Sequence, residues 1–174
     1  MELVTPSVKY KNSFIQAVIE YQAINADDRK DIYKLKVDEL QKNFSLYIEK
    51  LLSESEGKNL PHGYVPQTTY WLIDNDEFIG RVSIRHRLTE HLLKEGGHIG
   101  YDIRPSKRKM GYGKRILELS LPKTKSLGIT KILVTCNETN VASKRIIEAN
   151  GGVFENAVEI QKGKPRKLSY WISI

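Results

Sequence analysis

"HIGYDIRPSKRKMGYGKRIL", residues 98–117, is the stretch whose reading decides the fold. Residues 98–103 read as a short strand that stops at Arg104–Pro105, because Pro105 discourages its continuation. From Gly111 to about 127 the pattern is helical, with Pro122 inside it predicting a kink or break and Gly128 closing it. Between strand and helix, six of the twelve residues 104–115 are basic, and no acid interrupts the run from 103 to 117. A strand, a basic loop and a helix that begins near a Gly-x-Gly make an anion site. The first helical turn has unpaired N–H groups and a partial positive charge, and glycines let phosphate oxygens approach the backbone. Arg108, Lys109 and Lys114 add charge at its rim. The stretch is not a Walker A loop, since Arg108 stands where the first glycine belongs and Arg115 follows Gly113–Lys114. Nor is it the dinucleotide fingerprint, whose last glycine position holds Ile116. A solvated basic helix start remains the plain alternative.

The rest of the composition narrows the field. A length of 174 residues, 40% hydrophobic and 28% charged, is that of one globular domain and not of a disordered chain. No apolar run reaches the length of a membrane span, and residues 1–11 lack the basic and apolar regions of a signal peptide. The single cysteine, Cys136, excludes an internal disulfide framework and fits a reducing interior, and no Cys/His spacing suggests zinc. The expectation is a cytoplasmic, metal-free protein. A net charge of +7 favours an anionic partner without choosing one. A nucleic-acid module is disfavoured, because apart from Tyr112 no aromatic residue interleaves the basic stretch as a stacking platform.

Along the chain, apolar residues at helical spacing predict helices over 10–24 and from Val37 to about Leu51, the second stopped by Gly57. The segment "NLPHGYVPQ", residues 59–67, reads as a loop. Strands are expected at 69–73 and 78–88 as a hairpin turning through 74–77. In the second strand, Val82, Ile84, His86 and Leu88 share one face, and Arg81, Ser83, Arg85 and Arg87 the other. A central strand follows at 131–136, a short helix at 140–150, and two strands at 153–161 and 168–174. The order implies an α/β or α+β domain with a mixed sheet.

The stretch 98–117, followed by "KILVTCNETN" and "NVASKRIIEANGG", resembles the GNAT superfamily of acetyl-CoA-dependent N-acetyltransferases. The family loop reads Arg/Gln-x-x-Gly-x-Gly/Ala, and Arg108, Gly111 and Gly113 match its three defined positions. Pro105 before the loop and the Asn-x-x-Ser of Asn140 and Ser143 after it also fit. "GYVPQTTYWLID", "IRHRL" and "GGHIGY" look more narrowly like a group of predicted bacterial acetyltransferases. The resemblance covers roughly residues 69–155. It implies a mostly antiparallel mixed sheet flanked by helices, with a splayed parallel strand pair at its centre. It also implies one acetyltransferase domain over 1–174, with a helical acceptor-side region at 1–60, an acetyl-CoA-binding core at 69–155 and C-terminal strands at 153–174.

By the same resemblance, backbone N–H groups of Arg108, Lys109, Met110, Gly111, Tyr112 and Gly113 hold the pyrophosphate, with Lys114 just inside the helix. The pantetheine arm pairs with the strand carrying Ile99, Gly100 and Tyr101, and Gly100 is a natural place for a bulge. Asn140 is expected at the pantetheine or as a helix cap, and Ser143 near the phosphates. His98 occupies the position where family members place a glutamate base, and histidine titrates in the useful range. The competing role is a histidine satisfied by hydrogen bonds. Asp102, able to orient or replace His98, and His86 are further candidates. The tyrosine acid of many members is replaced by Ile147, leaving Tyr101, Tyr170 or water. Cys136 reads as core, so direct transfer in a ternary complex is expected, to a primary amine of a small molecule or peptide. The resemblance admits a homodimer. A non-catalytic acyl-CoA binder of the same fold is the alternative function.

Overall fold

Asn75 and Asp76, with φ of 48° and 59°, turn the chain between β2 (Gln67–Asp74) and β3 (Glu77–Arg85). Two successive positive φ values make a turn that matches the right-handed twist of a hairpin. The strands are longer at the turn than the apolar pattern alone suggests, with Asp74 paired to Glu77. β1 (Glu2–Val4), a strand the sequence pattern did not reveal, lines the outer edge of β2. β4 (Ile99–Ile103) lines the outer edge of β3, completing the order β1-β2-β3-β4. A second sheet runs β5-β7-β6, from β5 (Lys131–Asn137), β6 (Val153–Val158) and β7 (Lys167–Ser173). Every ladder within the two sheets is antiparallel. The coordinates are a computed structural model describing residues 1–24, 31–58 and 60–174.

Helices cover both faces. α1 (Lys11–Ala23) and α2 (Val37–Ser53) pack on the side of Trp71, Ile73 and Phe78. There the Phe14 ring stacks on Trp71 at 4.7 Å and meets Phe78 edge-on at 5.0 Å. Leu72, Val82 and Ile84 turn to the other face; in β3 the change of face between Phe78 and Val82 falls at the register shift opposite Leu72 and Ile73. They pack against Ile116 and Leu117 of α4 (Tyr112–Ser126) and Ile147 of α5 (Val141–Glu148). A short helix, α3 (Glu90–Lys94), precedes β4.

Several expectations change. β3 ends at Arg85, three residues short of the predicted end, and the chain turns into α3, whose N-terminus Thr89 caps by accepting from the Leu92 N–H at 3.3 Å. α4 runs unbroken through Pro122. The proline removes an N–H that would have bonded the carbonyl of Glu118, and Glu118 is exposed, so water can take its place. The kink in the helical set falls instead in α2, at Asn43 with φ −127° and ψ 39°. No bulge occurs at Gly100: the β3–β4 register is continuous from Gly80↔Ile103 to Ile84↔Ile99. No helix among the described residues is long and apolar enough to cross a membrane.

Candidate active site

The loop between β4 and α4 uses the N–H groups of Ser106, Lys107 and Arg108 but leaves the donors that follow them unused. Lys109 has φ 63° and Gly111 φ 85°, so left-handed residues alternate with ordinary ones just ahead of the helix. Lys109 accepts the strain that a side chain meets in that region, on the order of 1 kcal/mol. The main-chain N–H groups of Lys109, Met110, Gly111, Tyr112 and Gly113 have no acceptor among the described residues, while Lys114 and Arg115 bond back to the Gly111 carbonyl. Consecutive N–H groups in such a turn form an anion-binding concavity, reinforced by the helix N-terminus. A Cβ built on Gly111 meets nothing within 4 Å, so the face over this residue is open. Gly113 has a different reason to be glycine: its Cβ would lie 2.5 Å from Ile146 Cδ1, so it lets α4 and α5 close on each other.

The loop is anchored from behind. Arg104, 9% exposed, donates through Nε to Glu20 of α1 at 2.8 Å and through Nη1 to Glu77 of β3 at 2.9 Å. Lys107 reaches the other oxygen of Glu77 at 2.7 Å, and the Ser106 N–H donates to Glu20 at 3.1 Å. Burial opposes the charge on Glu20, yet the bonds from Arg104 and Ser106 overcome it and hold the carboxyl below its ordinary range. Arg108 is exposed, and its side chain folds back along the loop. Its Nε donates to the Ile103 carbonyl at 3.1 Å and its guanidinium lies 5.9 Å from the Tyr21 ring. Tyr112 bends back to Asp74, its hydroxyl donating at 3.0 Å. Arg108, Lys109, Lys114 and Arg115 are all exposed at the loop and the start of α4.

Beside the loop the two sheets part. They are joined among the described residues by a lone antiparallel bridge, Gly97 with Val134. The Arg85 N–H bonds the His98 carbonyl at 2.8 Å and the Arg104 N–H bonds Ile79 at 2.8 Å. With the continuous register, alternation then turns the His98 carbonyl and the main-chain groups of residues 100, 102 and 104 toward β3 and those of Ile99 and Tyr101 toward the gap. Ile99 and Tyr101 therefore keep the pairing capacity expected of them, and Gly100 does not, because its groups belong to the β3 ladder.

His98 sits at the closed end of the gap, 8% exposed. Its N–H donates to the Leu133 carbonyl at 2.7 Å, and its ring Nδ1 accepts the Leu133 N–H at 3.0 Å. A ring nitrogen that accepts from a main-chain N–H carries a lone pair, so the proton of the neutral ring is on Nε2. Neither nitrogen then has a free lone pair for an ammonium acceptor. Burial first, and the positive Arg85 second, lower the pKa of His98 further, which also favours the neutral ring. The geometry matches the competing expectation of a histidine satisfied by hydrogen bonds and weighs against a general base.

The other catalytic candidates are not gathered around it. With no bulge, Asp102 lies four strand residues from His98, about 13 Å between Cα atoms at the rise of an extended chain, too far to orient the ring. Asp102 pairs across the strand with Arg81, and its charge bears on Tyr21 of α1. The His86 Nε2 is bonded to the Thr68 hydroxyl at 2.8 Å, and burial lowers its pKa. Arg85 is not solvated: its Nη1 donates to the carbonyls of Gly96 at 3.1 Å and Gly97 at 3.0 Å. Arg87 is exposed.

On the α5 side, Asn140 is the N-cap, its Oδ1 accepting from the Ser143 N–H at 3.0 Å. The Ser143 hydroxyl meets the Tyr101 hydroxyl at 2.9 Å, so Tyr101 spans from β4 to α5. Burial pushes the Tyr101 phenol up to about 12, against the lowering effect of Ser143. Ile147 is wholly buried, and Tyr170 is 1% exposed with its ring edge-on to Phe154 at 5.6 Å. Cys136 is buried, and loss of solvent raises its thiol pKa. Sequence reasoning missed Glu20, Glu77, Arg85, Leu133 and Thr135, whose Oγ1 accepts from the Gly96 N–H at 3.0 Å. None carries a motif; each is defined by a partner on another element. Of the acceptor-side region expected over 1–60, residues 25–30 and Asn59 lie outside the described residues.

A family model described as acetyltransferase (GNAT) domain matches residues 19–153. No curated protein matches the chain. Among solved structures, the chain is similar to RimL, a ribosomal L7/L12 alpha-N-protein acetyltransferase in complex with coenzyme A. The identity is 18% over 99% of this chain and 93% of that one, with a TM-score of 0.69. It is similar to the microcin C7 self-immunity acetyltransferase MccE, in complex with acetyl-CoA and AMP, at 15% identity, 99% and 91% coverage, and a TM-score of 0.69. An acetyl transferase from Salmonella typhimurium that modifies the N-terminal serine of ribosomal protein L7/L12 matches at 18% identity, 99% and 94% coverage, and a TM-score of 0.65. At such identities the likeness is one of fold.

Proposed function

The chain belongs to the acetyltransferase (GNAT) domain family and is an acetyltransferase with acetyl-CoA as its donor, and from that premise we propose that it acetylates a primary amine of a small molecule or peptide by direct transfer. The observation that carries the reading is the row of five unpartnered N–H groups from Lys109 to Gly113, opening beside the gap between β4 and β5. When bound, acetyl-CoA supplies an activated thioester. The loop holds its pyrophosphate through backbone donors, with Lys109 and Lys114 adding charge, and Asn140 keeps its side-chain N–H₂ for the arm. Ile99 and Tyr101 offer main-chain groups to the pantetheine.

Tyr101 is the proposed proton donor for the departing thiol. Its phenol stays protonated at neutral pH and Ser143 holds it in place. With the His98 ring engaged, the proton of the incoming amine passes to water. Cys136, buried and with a raised pKa, is unsuited to an acyl-enzyme route, which supports direct transfer. The acceptor side is assigned to α1, α2 and the 60–67 loop. That relatives of this fold act on a protein α-amine supports a peptide N-terminus as one acceptor class. A cytoplasmic location fits that class of acceptor.

Calorimetry with coenzyme A, paired with thiol release from acetyl-CoA across small amines and peptides with free or blocked N-termini, tests the reading. The expectation is saturable coenzyme A binding that Gly111→Asp weakens at least tenfold, by negative charge at the anion loop, and turnover only on free amines. Binding untouched by that substitution would sink the loop assignment.

A further inference from the structure

We propose that His98 is a positioning residue: its imidazole stands in for the main-chain acceptor that would otherwise zip β4 onto β5, and thereby sets where the two strands begin to part.

In an ordinary ladder the Leu133 N–H would bond a carbonyl of the neighbouring strand. Here it bonds the His98 Nδ1 at 3.0 Å, while the His98 N–H returns a bond to the Leu133 carbonyl at 2.7 Å. One residue of β5 is thus satisfied by the residue just before β4, half through main chain and half through side chain. The His98 carbonyl meanwhile accepts from the Arg85 N–H. Both donor and acceptor of Leu133 are used up at the bridge, and nothing forces the next residues of β4 to pair with β5.

The neighbouring residues fasten the same point. Gly97 has φ 63°, and a Cβ there would lie 2.5 Å from the Leu133 carbonyl oxygen, so only glycine lets β5 approach. The Gly96 N–H reaches the Thr135 hydroxyl at 3.0 Å. Arg85 closes the unit from β3 by binding the carbonyls of Gly96 and Gly97. A guanidinium placed here also disfavours a second positive charge on His98, which keeps Nδ1 available as an acceptor. Gly96–Gly97–His98 with Arg85 therefore form a latch that pins the sheets together at one end and leaves Ile99 and Tyr101 with unpaired main chain at the other.

The consequence for cofactor binding rests on the acetyl-CoA reading, but the latch itself is tested without it. Long-range proton–nitrogen correlation on the full chain should show His98 with Nδ1 unprotonated and Nε2 protonated. The Leu133 amide should exchange slowly in the wild type. His98→Ala should speed that exchange at least tenfold and weaken coenzyme A binding about tenfold. His98→Asn, whose Oδ1 sits at the same bond distance from Cβ as Nδ1, should restore slow exchange and bring affinity back to within about threefold of wild type. A proton found on Nδ1, or an Asn variant as fast in exchange as the Ala variant, overturns the latch. If turnover collapses equally in the Asn and Ala variants while coenzyme A affinity stays at the wild-type value in both, His98 is a base and the proposal is wrong. Failure of coenzyme A to bind the wild type, with tautomer and exchange as expected, would count against the cofactor reading and leave the latch standing.

Discussion

Arg104 of the anion loop and Glu20 of α1 meet at 2.8 Å across a sequence separation of 84 residues. The same Glu20 takes the Ser106 N–H, and the same Arg104 takes Glu77. The geometry of the loop between β4 and α4 is therefore held by α1. Glu20→Ala leaves Arg104 with one carboxylate and little solvent. Discounted for the partial exposure of Glu20, the expected loss is about 1–3 kcal/mol in urea unfolding. A fall in coenzyme A affinity should accompany it, although Glu20 itself need not touch the cofactor.

Three glycines near the site should differ in cost because they are glycine for different reasons. In Gly97→Ala the new Cβ meets a backbone oxygen at 2.5 Å with φ positive, so neither side can yield and about 1–3 kcal/mol is lost. In Gly113→Ala it meets the tip of Ile146, which can rotate away, for about 1 kcal/mol. In Gly111→Ala it enters open space and only the positive φ costs, again about 1 kcal/mol. Equilibrium unfolding of the three variants should rank Gly97→Ala last in stability.

Stability should fall on acidification through the histidine range. Burial lowers the pKa of both His98 and His86 in the folded chain, so below the unfolded value of about 6.5 the unfolded state binds the extra protons. The contribution is fully present above that value and is lost as pH falls toward the folded values. Melting temperatures between pH 8 and pH 5 should drop less steeply in His98→Asn than in the wild type, with His86 supplying the remaining slope. Equal slopes would contradict the buried, neutral ring.

Tyr101→Phe removes the hydroxyl that Ser143 holds and leaves the strand's main chain in place. A donor to the leaving thiolate predicts a loss in kcat of about a hundredfold or more, with coenzyme A affinity changed less than about threefold. Steady-state kinetics with a saturating amine, beside calorimetry, separates this from a packing effect, which would move affinity as well.

Features governed by short-range physics were legible in residue order. The β2–β3 hairpin, α1, α2 and α4 followed from the period of their apolar residues, and the anion loop from a strand stopped by Pro105 and a helix opened at Gly111. α3 had a readable signal in Thr89, which was overlooked. β1 had none, since three residues at a chain end become a strand only when β2 offers an edge. The roles of individual polar residues were less legible. His98 stood where a base was expected, and Asn140 and Arg108 stood where cofactor contacts were expected. Whether a ring nitrogen is free or already bonded depends on which main-chain donor faces it, and Leu133 is 35 residues away.

The sequence by itself determined the family, the donor and the turn between β4 and α4 on which the anion-site proposal rests, because these rest on backbone conformations that proline and glycine impose locally. Tertiary structure alone decided that Arg104 is a buried anchor, that Gly113 serves helix packing, that Gly100 carries no bulge and that both the Nδ1 and the N–H of His98 bond to Leu133. Each of these depends on a partner brought into hydrogen-bond or van der Waals range from a distant part of the chain. Such forces act over a few ångströms in space, so spacing along the chain does not reveal them.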